Sequence, residues 1–177
     1  YENVVSNILS FFLDTEEEHH CKDLWLKSLI ECRNDLSIRE DDFNVLRVNR
    51  EYRTETDKRI DIVLETDHFI IAIENKIYAN PYDPFEDYYN CLKKENKRFI
   101  GILLSLKKEN DIVNNDFQFV NITYRQLIER VLKDIGVYLS EINEKWCIFM
   151  KEFINNITNL YNGETINMDK DWQLFIK

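Results

Sequence analysis

The chain has 177 residues, 44% of them hydrophobic and 32% charged, with a formal net charge of −10. That length suits one domain with a full core over residues 1–177, whether or not it is cut from a longer chain, and it is short for two. No apolar run approaches the roughly 20 residues that cross a bilayer and no secretory leader pattern opens the chain, so a cytoplasmic protein without membrane contact is expected, while the acidity excludes the broad basic footprint of a dedicated DNA-binding module.

Residues 2–13, ENVVSNILSFFL, set Val4, Val5, Ile8, Leu9, Phe11 and Phe12 at helical spacings and predict an amphipathic helix. The polar break DTEEEHH ends it, and CKDLWLKSLIECR, with Leu24, Trp25, Ser28, Leu29 and Cys32 at steps of three and four, predicts a second. Phe43 to Tyr52 reads as a strand running into the turn RTETDK. Residues 59–65 and 69–77 read as a hairpin about Asp67 and His68, and their near-continuous Ile and Val predict strands buried on both faces. After Pro84, which suits the first turn of a helix, FEDYYNCLKKENK is helical. FIGILLSL from Phe99 and a short run around Phe119 are strands, Thr123 is the N-cap of a helix, and a long helix from about Val137 to Tyr161 closes the pattern. The order of two helices, three strands, a helix, two strands and then helices predicts a mixed α/β or α+β domain with a central sheet covered by helices.

Cys21, Cys32, Cys91 and Cys147 show no paired spacing, so free thiols are expected rather than bridges or a zinc site. The charges inside the hairpin are harder to place. Residues two apart in a strand share a face, so Glu74 and Lys76 project side by side, and antiparallel pairing about Asp67 sets Asp61 opposite Glu74. Facing carboxylates within about 5.5 Å at Cβ repel unless something positive intervenes. A salt bridge between Glu74 and Lys76 at a sheet end is one resolution. A divalent cation held by Asp61 and Glu74, with waters and a substrate phosphate completing its shell and Lys76 beside it, is the other. Arg59, with Lys58, Arg53 and Arg50, makes a basic stretch suited to phosphate contacts, and Tyr78, Tyr82, Tyr88 and Tyr89 offer rings for stacking on bases, or for the core.

RIDIVLE followed by IIAIENKI resembles the PD-(D/E)XK nuclease superfamily, in particular the bacterial branch that carries an RIDI strand before an IENK strand. The resemblance implies a restriction-endonuclease-like α/β core, a central mixed sheet of about four or five strands flanked by helices with extra helices at the C-terminal end, with Asp61 and Glu74 as ligands of Mg²⁺ or Mn²⁺ and Lys76 as the catalytic lysine. Upstream, ENVVSNILSFFLD and HHCKDLWLKSL match the branch's leading helices, which implies that Glu2 assists catalysis through a metal-bound water and that His19 stands at the position of its His before the second helix. Downstream, PFEDYYNCL keeps Tyr88 and Tyr89 but holds Pro84 or Asp87 where that branch commonly carries a Gln. Arg59, His19, Tyr88 and Tyr89 are thus the expected substrate contacts. The function implied is metal-dependent hydrolysis of phosphodiester bonds, in DNA first, within bacterial defence or DNA processing and with a homodimer or larger assembly supplying positive charge. The competing expectation is a nuclease-like scaffold that no longer cleaves and serves as an interaction domain.

Overall fold

Strand β1 (Val45–Arg53), β2 (Arg59–Thr66), β3 (Phe69–Lys76), β4 (Arg98–Ser105) and β5 (Phe119–Thr123) form one five-stranded sheet in the order β1-β2-β3-β4-β5. The computed structural model describes residues 1–33, 35–36, 43–78, 84–93, 96–109 and 117–163; Tyr82 and the C-terminal stretch after residue 163 lie outside them. The first two pairings are antiparallel and the last two parallel, so the sheet is mixed, as expected. β3 lies at its centre and is buried along all but its last residue, which is why its sequence reads as an unbroken apolar run rather than an alternating one.

Helices α1 (Glu2–Leu13), α2 (Leu24–Glu31), α3 (Phe85–Leu92), α4 (Tyr124–Asp134) and α5 (Glu144–Asn162) flank the sheet. Side chains alternate across β3, so Ile71 and Ile73 enter one core and Ile70 and Ala72 the other. The larger core takes the apolar faces of α1, α2, α4 and α5, with Phe12 stacked on Trp25 at 5.3 Å between ring centroids and Phe153 against Trp25 at 5.7 Å. Each fully buried side chain of this kind contributes about 1.5–3 kcal/mol. The smaller core lies under α3, where Phe85, Tyr88 and Leu92 cover Val63, Ile70, Ala72, Phe99 and Phe119. Gly101 in β4 makes room for it: a Cβ there would meet the Phe119 ring at 2.6 Å.

Several boundaries differ from expectation for local reasons. Thr123 caps α4 in a full capping box with Gln126, as its sequence signals. The closing helix starts at Glu144 rather than near Val137, because Asn143 caps it and a 3-10 turn at Ile135–Val137 intervenes. Pro84 is the residue before α3 rather than within its first turn. All four cysteines are free thiols. No helix among the described residues is long and apolar enough to cross a membrane.

Candidate functional site

The β2–β3 ladder pairs Leu64 with Ile71, Val63 with Ala72 and Ile62 with Ile73, and then stops; Asp61 and Glu74 occupy the next step of the same register. There Asp61 Oδ2 accepts the main-chain N–H of Asn75 at 2.8 Å. A side-chain carboxylate thus takes the place of a ladder carbonyl and satisfies a donor that separating strands would orphan. Glu74 continues the face of Ile70 and Ala72 toward α3, is 5% exposed, and receives Lys76 Nζ at 3.0 Å. That ion pair is nearly enclosed, which makes its removal from water costly and its geometry consequential.

Glu2 opens α1 and reaches the end of β3, where its Oε1 accepts the main-chain N–H groups of Ile77 at 2.8 Å and Tyr78 at 3.1 Å. Around this point the chain forms a cleft of about 410 Å³ lined by Glu2, Asn3, Lys58, Arg59, Asp61, Glu74, Lys76, Pro84 and Tyr88. Three carboxylates and three cations face it, a balanced set in a chain whose net charge is −10.

The cleft therefore gathers Glu2, Arg59, Asp61, Glu74, Lys76 and Tyr88 and leaves out His19 and Tyr89. Arg59 is exposed at its edge, with Nη1 at 3.3 Å from Glu51 Oε1. The Tyr88 ring is 3% exposed and its hydroxyl donates to the main-chain oxygen of Arg59 at 2.7 Å, so it anchors the start of β2 and has no open ring face for a base. Tyr89 turns away, its ring set edge-on against Phe99 at 5.3 Å with the Lys93 ammonium over it.

His19 is fully buried between α1 and the segment that follows. Its Nε2 lies 3.0 Å from the carbonyl of Phe11 and 2.9 Å from that of Asp14, while Nδ1 accepts the N–H of Cys21 at 2.8 Å. This pattern selects the neutral ring with its proton on Nε2, and burial holds the imidazole below its usual pKa. The expected substrate contact at His19 is a structural tie in this structure, because both nitrogens are spent on main-chain groups. Asp87, near the place of the missing Gln, accepts the Thr54 hydroxyl at 2.6 Å and fastens the β1–β2 turn to α3.

Sequence reasoning passed over the polar group behind the cleft. Asn75, on the α1 face of β3, donates through Nδ2 to Ser6 Oγ at 2.8 Å and accepts the Tyr124 hydroxyl on Oδ1 at 2.7 Å. Burial and then the negative charge of Asp61 hold the Tyr124 phenol protonated well beyond its ordinary range, which keeps it a donor. The signal was an amide inside an apolar face, Ile73-x-Asn75-x-Ile77, opposite Ser6 in the largely apolar buried face of α1.

Among the described residues no three His, Cys, Asp or Glu side chains are grouped as a ready-made metal cage. The donors present in the cleft nonetheless suit Mg²⁺ or Mn²⁺: they are carboxylate oxygens, and Mg²⁺ takes one or two protein carboxylates while keeping water and substrate oxygens in its shell.

A family model described as the PD-(D/E)XK nuclease superfamily matches residues 1–155. Among solved structures, the crystal structure of the small subunit of a heterodimeric restriction endonuclease is similar at 14% identity, over 96% of each chain, with a TM-score of 0.37. A search of curated proteins finds no significant match.

Proposed function

The chain belongs to the PD-(D/E)XK nuclease superfamily, and we propose that it is a divalent-metal-dependent phosphodiesterase that cuts DNA, with Asp61 and Glu74 as the metal ligands and Lys76 and Glu2 as the other catalytic groups. The convergence of Asp61 and Glu74 at the step where the β2–β3 ladder ends, with Lys76 beside Glu74 and inside a cleft that also receives Glu2, supports this reading. A bound Mg²⁺ or Mn²⁺ supplies Lewis-acid polarisation of the phosphate. Lys76, kept beside Glu74, offsets the charge that develops on the phosphate oxygens and orients the attacking water. The water oxygen joins phosphorus as one P–O ester bond breaks, leaving a phosphomonoester end and a hydroxyl end. Glu2 holds the turn after β3 by accepting two main-chain hydrogen bonds at the cleft wall, and assists the reaction through water. Lys58 and Arg59 meet the phosphates on either side of the scissile one. The rest of the acidic surface repels DNA, so a second copy or a basic partner completes the groove.

The ion pair of Lys76 with Glu74 favours a second reading, in which these groups only brace the sheet of an inactive scaffold. Calorimetric titration of Mn²⁺ into the wild type and Glu74→Ala, with cleavage assays on single- and double-stranded DNA, separates the two. Binding that Glu74→Ala abolishes, together with metal-dependent cutting, is the expected result. Absence of both in the wild type leaves the scaffold.

A further inference from the structure

We infer that Asn75 is the positioning residue of this cleft: its side chain registers the first turn of α1, and with it Glu2, against Asp61, which its main chain holds. The catalytic consequence rests on the nuclease reading above, but the positioning itself stands on contacts. Asn75 is 1% exposed and lies in sequence between Glu74 and Lys76, yet its side chain points to the opposite face of β3 and does not line the cleft. Its Nδ2 donates to Ser6 Oγ at 2.8 Å and to the main-chain oxygen of Glu2 at 3.2 Å, both on α1. Its Oδ1 accepts Tyr124 of α4 at 2.7 Å, and its main-chain N–H donates to Asp61 of β2 at 2.8 Å. One residue thereby joins three elements to β3.

A buried amide has two donors and an acceptor to satisfy, and leaving any of them bare is costly. Sliding α1 by one residue would take Ser6 Oγ and the Glu2 carbonyl away together, so the amide accepts one placement of the helix. An apolar side chain of the same volume would fill the space and impose no such register. With α1 so placed, the Glu2 carboxylate falls on the N–H groups of Ile77 and Tyr78, just past the end of the same strand.

Amide hydrogen exchange by NMR on the full chain without metal tests this, using Asn75→Leu, Ser6→Ala, Glu2→Ala and the Asn75→Leu/Glu2→Ala double variant. Asn75→Leu should speed exchange at Ile77 and Tyr78 by about ten-fold relative to Ile71 in the same sample, the equivalent of losing one hydrogen bond. The double variant should exchange there no faster than Glu2→Ala, because both changes release the same contact. Ser6→Ala, which leaves Asn75 in place, should speed the same two amides to a smaller extent and decides the question if Asn75→Leu fails to fold. Wild-type protection of Ile77 and Tyr78, relative to Ile71, in Ser6→Ala and in any folded Asn75→Leu overturns the inference, whatever the cleavage assay gives. If the wild type cuts DNA, Asn75→Leu should lower kcat as Glu2→Ala does while KM stays unchanged. A wild type that neither binds Mn²⁺ nor cuts removes the nuclease reading, and the exchange rates at Ile77 and Tyr78 then decide the positioning role by themselves.

Discussion

Glu2 Oε1 accepts the main-chain N–H of Ile77 at 2.8 Å, joining residues 75 positions apart and closing the end of the central strand with the first turn of the first helix. The bond is charge-assisted and shared with Tyr78 N–H at 3.1 Å. Glu2→Ala should therefore lower stability by about 1.5–3 kcal/mol, the range of hydrogen bonds to a charged group. Urea unfolding checks it: a midpoint equal to that of the wild type would mean that the end of β3 is held by other contacts.

The enclosed ion pair of Glu74 with Lys76 predicts asymmetric effects of substitution. Lys76→Met leaves a carboxylate in a nearly buried site without its cation and should cost about 2–3 kcal/mol, discounted from a fully buried pair because the cleft admits water. Glu74→Gln in the same chain should recover most of that loss, since the buried charge is gone. Thermal unfolding of the two single variants and the double one measures the coupling; additive losses would contradict it.

His19 predicts a pH dependence whose sign follows from its neutral, buried ring. Its folded pKa is lowered, so the unfolded chain binds the proton more readily, and the stabilisation present above the ordinary histidine value of about 6.5 declines as pH falls below it toward the folded value. His19→Gln should start less stable at pH 8 and lose less between pH 7 and pH 5.5. Equal slopes of stability against pH in the two proteins would show that carboxylates alone account for acid sensitivity in that window.

Gly101 predicts a packing defect in the smaller core, away from the cleft. Gly101→Ala would drive a methyl to 2.6 Å from the Phe119 ring, which is itself pressed by Phe85 at 4.3 Å. Overpacking of this kind costs about 1–3 kcal/mol and displaces α3. A lowered melting temperature with changed near-ultraviolet circular dichroism is the expected outcome, and an unchanged melt would mean that Phe119 has room to rotate aside.

Element order, the α4 cap at Thr123 and the hairpin register that brings Asp61 to Glu74 were legible in the amino-acid sequence, because each rests on local signals: apolar period, cap residues and the fixed alternation of a strand. The family likeness was legible for the same reason, since RIDI and IENK are contiguous stretches matched by the family model. The fates of His19, Tyr88, Tyr89 and Asp87 were not, because a His, a Tyr or an Asp serves equally as a ligand contact or as a partner for a main-chain group, and only the neighbours brought by folding choose between them. The same holds for Asn75, whose partners Ser6 and Tyr124 lie 69 and 49 residues away. Hydrogen bonds of that range depend on how α1 and α4 pack on the sheet, and buried polar groups accept only the packing that satisfies them, so tertiary structure alone decided what stands behind the cleft.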